Sequence, residues 1–134
     1  MLASSMDSIR IFLHVLGATI WVGGQLTLAA LVPVLRGFDP SLPKKAARAF
    51  NKVAWPAYAL LVLTGIWNVA KIPAGASSNY NAILGIKMAV VALSGIAAYL
   101  HSKAKSTLGL ALWGSLSGLS ALSAMFLGAL LTGK

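Results

Sequence analysis

Four long apolar runs, each close to the length of a bilayer crossing, constrain this chain more than any other feature. They extend over residues 10–35, 53–69, 81–100 and 108–131. About 20 residues at 1.5 Å per residue cross the ~30 Å of hydrocarbon in a membrane. Helices are the conformation such runs must take, because strands in lipid need a closed barrel of many more residues. Composition agrees: 58% of the 134 residues are hydrophobic and only 10% charged, against about 25% charged in an ordinary soluble domain. With a mean hydropathy of +0.83, there is too little polar surface to face water. The expected fold is an all-α membrane protein, a single domain (1–134) built as a four-transmembrane-helix antiparallel up-and-down bundle. The first run is too long for the apolar region of a cleaved signal peptide and has no small-x-small cleavage context after it.

The connections are short. Residues 36–52 contain Gly37, Pro40 and Pro43 and then a basic segment that reads as an amphipathic helix lying at the interface. Residues 71–80 are a Pro/Gly/Ser loop, and 101–107 form a basic turn. The net charge of +9 is concentrated in these gaps rather than on one face. It reads as loop charge that sets topology and meets anionic lipid, and nucleic acid is not indicated. Seven Lys/Arg flank the first and third connections (Arg36, Lys44, Lys45, Arg48, Lys52, Lys103, Lys105) and three the opposite side (Arg10, Lys71, Lys134). The positive-inside rule then places both termini outside the cell.

Missing residue types exclude several chemistries. There is no cysteine and no glutamate, and the only aspartates are Asp7 and Asp39. Thiolate metal sites, disulfides, paired-carboxylate hydrolysis and carboxylate di-metal centres are excluded or nearly so. No catalytic residue is assigned, and the reading leans away from an enzyme.

Polar residues inside the spans carry the remaining information, since an ionisable group there costs at least ~2.5 kcal/mol unless it pairs or reaches water. His14 and Lys87 each lie roughly 6–8 Å below the start of their helix. Met88, Asn68 and Met125 fall at nearly the same depth, whereas His101 lies at the opposite end of its helix. His14, Ala18, Trp21, Gln25 and Leu28 follow a spacing that puts them on one face of the first helix. This layer is the expected ligand site, with Trp21, Gln25 and Asn68 in support. Each member also has a plain alternative: Lys87 snorkels to the headgroups, His14 bonds a carbonyl, and the methionines pack. Gly114 and Gly118 form a GxxxG that permits a homodimer or a contact in a larger membrane complex, or close packing within the chain.

The segment Phe12–Gly24 (FLHVLGATIWVGG), with Val32-Pro33 and Leu35-Arg36, resembles the first helix of copper-resistance D type membrane domains. Leu63–Asn68 (LTGIWN) and Ile83–Leu93 (ILGIKMAVVAL) resemble their next two helices. The histidine followed by Trp-Gly, with a lysine in the third helix, is also similar to membrane-bound protoporphyrinogen oxidases of the HemJ type, which bind haem. The first resemblance implies copper handling, with Cu(I) held by His14, Met88 and Met125, ligands whose softness suits that ion. The second implies haem b, with His14 as axial ligand, Met125 as a candidate for the sixth position and Lys87 paired with a propionate. A third reading is an accessory subunit of a membrane complex.

Overall fold

The computed structural model describes residues 4–132. Four helices in it are long and apolar enough to cross a membrane: Ser5–Phe38, Leu42–Ala70, Ser78–Lys103 and Thr107–Thr132. The first consists of α1 (Ser5–Ala18), a π-helical turn (Thr19–Gly23) and α2 (Gly24–Phe38); the others are α3, α4 and α5. No strand occurs among the described residues, so the all-α expectation holds. The chain divides into two compact units, Met1–Ile72 and Pro73–Lys134.

Helix ends follow local chemistry. Ser4 caps α1 by accepting from the Asp7 amide at 3.1 Å, and Ser77 caps α4 by accepting from the Tyr80 amide at 3.1 Å. The Ser106 hydroxyl accepts from the Gly109 amide at 2.9 Å at the start of α5. These side-chain oxygens satisfy amides that have no partner inside the helix. Between α2 and α3 a carboxylate holds the turn: Asp39 accepts from the Ser41 amide at 2.7 Å.

One boundary differs markedly from expectation. Residues 42–52 are helical, but they are continuous with the second span rather than a separate interfacial helix: α3 runs 29 residues without a break. Pro43 does not interrupt it because it sits in the first turn, where its missing N–H would have had no partner.

Packing in each unit is that of helices in lipid. In the first unit, pairs run in opposite order along α1–α2 and α3: Arg10 with Asn68, His14 with Thr64, Trp21 with Tyr58 and Gly24 with Phe50, so the helices are antiparallel. The second unit is an antiparallel hairpin of α4 and α5, shown by Lys87 with Gly128, Ser94 with Ser117 and His101 with Leu110. The buried residues are mostly small (Ala54, Ala57, Ala97, Ala121, Ala124, Ser94, Ser117, Ser120), while Phe12, Leu63, Ile96, Leu119 and Phe126 are exposed. Small residues inside and large apolar ones outside is the distribution that lipid permits and water penalises.

Candidate functional site

In the first unit, α1 and α3 meet along a seam whose successive turns carry polar or aromatic groups. At the end where α1 begins, the Arg10 guanidinium pairs with Asp7 at 3.1 Å and donates to the Asn68 side-chain oxygen. The Arg10 side chain is only 14% exposed. Its Nε is buried and has no hydrogen-bond partner among the described residues.

One turn further along, His14 Nδ1 lies 2.9 Å from Thr64 Oγ1. Thr64 has one hydroxyl proton, and that proton goes to the Leu60 carbonyl at 2.7 Å, shared with the Leu61 carbonyl at 3.2 Å. The arrangement in which Thr64 Oγ1 accepts from His14 Nδ1–H satisfies both contacts. In that tautomer the lone pair belongs to Nε2, the atom by which an imidazole binds a metal or takes a proton. A Cβ at Gly65 would sit 3.6 Å from His14 Cε1, an ordinary van der Waals distance, so the ring packs beside this turn of α3.

Beyond His14 the helices touch backbone to backbone. A Cβ at Gly17 would lie 2.9 Å from the Ala57 carbonyl oxygen and 3.1 Å from the Leu61 nitrogen, so nothing larger than glycine fits there without movement. The π turn follows. It inserts extra backbone into the helical repeat, and such turns are frequent at functional sites. Trp21, within this turn, is buried against Tyr58 and Trp55, with ring centroids 4.5 and 5.3 Å away. Gly24 then makes room for the Phe50 ring.

The other sequence-selected residues divide between the units. Asn68 and Trp21 belong to the seam with His14, although Asn68 serves Arg10 rather than His14. Gln25 is partly buried in α2, its Nε2 shielded from solvent. Lys87 lies in the second unit, across α5, with Nζ 3.1 Å from the Cβ position of Gly128. Met88 and Met125, on α4 and α5, are 50% and 47% exposed. Among the described residues no three His or Asp side chains come together as a metal site. His101 donates from Nδ1 to the Leu110 carbonyl at 2.8 Å and packs over Gly114, whose Cβ position lies 3.0 Å from the ring. Gly114 is thus used within the hairpin, while nothing approaches within 4 Å of a Cβ at Gly118.

Sequence reasoning missed two members of the site. Thr64 is an unremarkable residue in an apolar span, and its role depends on the helix pairing. Arg10 was counted with the loop charges, yet it lies in α1 with its charge turned onto α3. The signal available was Asp7 three residues earlier, an i,i+3 ion pair on a helix. Comparison with family models, with curated proteins and with solved structures finds no match for this chain.

Proposed function

We propose that this is a multi-pass membrane protein that binds haem b through Nε2 of His14. The observation that carries the reading is the Thr64 hydroxyl on His14 Nδ1. Metal-ligating histidines characteristically donate their other ring N–H to a fixed acceptor, which orients the ring and raises the basicity of the ligating nitrogen. Arg10 supports it. It lies about 6 Å along the helix from His14, and its buried Nε–H is suited to a propionate oxygen. Arg10 thereby offers, within the same unit as His14, the cation that the HemJ resemblance assigned to Lys87. When bound, haem would supply one-electron or oxygen chemistry; the chain's own part is to hold, orient and shield the group.

Copper handling is the less favoured reading. Met88 and Met125 are half exposed, and thioethers not held in place by packing contribute little to a Cu(I) site. On the Lys/Arg distribution we further propose that the α2–α3 and α4–α5 connections are cytoplasmic; Lys134, counted on the other side, lies outside the described residues.

Absorbance of the detergent-purified protein tests the function. A Soret band at one haem per chain is expected, lost in His14→Ala and kept in His101→Ala. A colourless protein with stoichiometric copper would replace this reading with the copper one. Absence of both would leave the accessory-subunit reading.

A further inference from the structure

At 29 residues, α3 is about 43 Å long, well beyond the ~30 Å of hydrocarbon a membrane helix crosses. If its last 20 residues fill the hydrocarbon, Lys52 sits at the boundary. Arg48 then lies about 5 Å beyond it and Lys44 about 10 Å beyond, at 1.5 Å per residue. The headgroup layer is about 5–7 Å deep on each side. Lys44, Arg48 and Lys52 recur every four residues and so share a face; Lys45 adjoins them, and all four are exposed. Arg36, in the last turn of α2, is exposed as well. Phe38, in the same connection, is 82% exposed.

Helix stability does not account for these charges. Lys44 and Lys45 lie in the first turn of α3, where the helix dipole disfavours cations. The segment 36–52 contains five Lys/Arg and a single carboxylate, Asp39, which is engaged with Ser41. The balancing negative charge must come from outside the segment.

We propose that Lys44, Lys45, Arg48 and Lys52 form a binding site for anionic phospholipid headgroups, with Phe38 anchoring the connection in the same interfacial layer. The helix is what makes this a site rather than a diffuse cloud of loop charge, because it holds Lys52 and Arg48 at fixed heights within the headgroup region and Lys44 just beyond it, where its flexible stem reaches back to the phosphates. The inference rests on the bilayer-spanning reading and is independent of haem.

The test uses the full chain in nanodiscs and detergent, with phosphatidylglycerol and phosphatidylcholine as probes. The wild type is expected to retain phosphatidylglycerol preferentially in native mass spectrometry. The variant K44Q/K45Q/R48Q/K52Q should lose that preference by about tenfold or more, since each interfacial cation adds to the attraction for anionic lipid. K103Q/K105Q should keep it. Circular dichroism in phosphatidylcholine nanodiscs checks that the variants are folded, and R48Q and K52Q alone should give graded losses if the quadruple variant is not. Undiminished preference in the quadruple variant, equal loss in K103Q/K105Q, or no preference in the wild type would overturn the site. So would displacement of phosphatidylglycerol by RNA. Recovery in membranes after alkaline carbonate washing separately tests the bilayer-spanning reading.

Discussion

The two units bury different chemistry along the same kind of antiparallel seam. Between α1 and α3 successive turns present Arg10, His14, Gly17 and Trp21, and the seam continues through Gly24 on α2. They meet Asn68, Thr64, the Ala57–Leu61 backbone, the Trp55–Tyr58 rings and Phe50. Between α4 and α5 the centre consists of small residues. Ser94 donates to the Ser117 carbonyl and Ser117 to the Ser94 carbonyl, each at 3.0 Å, and Ala97, Ala121 and Ala124 are buried alongside. The large polar side chains of this hairpin, Lys87 and His101, lie toward its two ends, each over a glycine. The first unit carries an arginine and a histidine inside a span, each with a polar partner on the facing helix, whereas the second carries Lys87 at a comparable depth, packed against Gly128. The ligand site proposed above lies in the first unit, where polar side chains of the two helices meet.

The largest effect that could break this contrast is at the glycines. Gly17→Ala forces a methyl against the α3 backbone, which cannot move as a side chain can, and such overpacking costs about 1–3 kcal/mol. Gly118→Ala meets nothing within 4 Å and should be neutral or slightly stabilising through helix propensity. Unfolding in mixed micelles followed by tryptophan fluorescence measures both. Equal, small effects would mean that the close approach at Gly17 does not govern the first pair.

Hydropathy made the spans legible, and their ends were legible only where hydropathy changes together with backbone structure. Thus 108–131 became Thr107–Thr132 and 81–100 became Ser78–Lys103. The start of α3 was placed eleven residues late, because Lys44, Lys45, Arg48 and Lys52 lower hydropathy without disturbing helix geometry. His14 was legible as a polar residue at a costly position. The π turn was not, since the run Thr19–Gly23 has no local signature that separates it from an α-helix. It alters the helical repeat on which the sequence-derived face through Ala18 and Gln25 was counted. Gly17, which that face did not include, meets the α3 backbone.

A smaller effect sharpens the functional side of the contrast. Interhelical hydrogen bonds within membranes are worth about 0.6 kcal/mol on average. The double variant Ser94→Ala/Ser117→Ala removes two of them and should cost roughly 1 kcal/mol while leaving ligand retention unchanged. Thr64→Val removes one, with a comparable or smaller loss of stability, but it also frees the His14 ring from its oriented tautomer. Haem retention should then fall about tenfold or more, the usual range for loss of an outer partner of a ligating histidine. Unfolding and Soret absorbance measured on the same preparations separate the two quantities. Loss of ligand in the serine variant would move the site toward the hairpin.

The smallest effect concerns the turns that close the two pairs. The α2–α3 turn is held by a carboxylate, and the α4–α5 turn by the Ser106 hydroxyl, which does not titrate. Hydrogen bonds from the Ser41 amide and hydroxyl hold the Asp39 carboxyl below its ordinary value of 3.8. A carboxyl depressed by folding contributes stability that is fully present above the unfolded value, and that contribution is lost as pH falls through the folded one. Acid should therefore loosen the first turn only below pH 3.8 and leave the second unaffected. In micelle NMR the Ser41 amide shift should titrate with a midpoint under 3.8, and Asp39→Asn should abolish that titration. The Gly109 amide should stay flat over the same range. Asp39 is fully exposed, so the change in global unfolding should be slight, and the amide shifts are the sensitive readout. A Ser41 amide that does not respond to acid would show that the carboxylate is not its partner, and the asymmetry between the two turns would disappear.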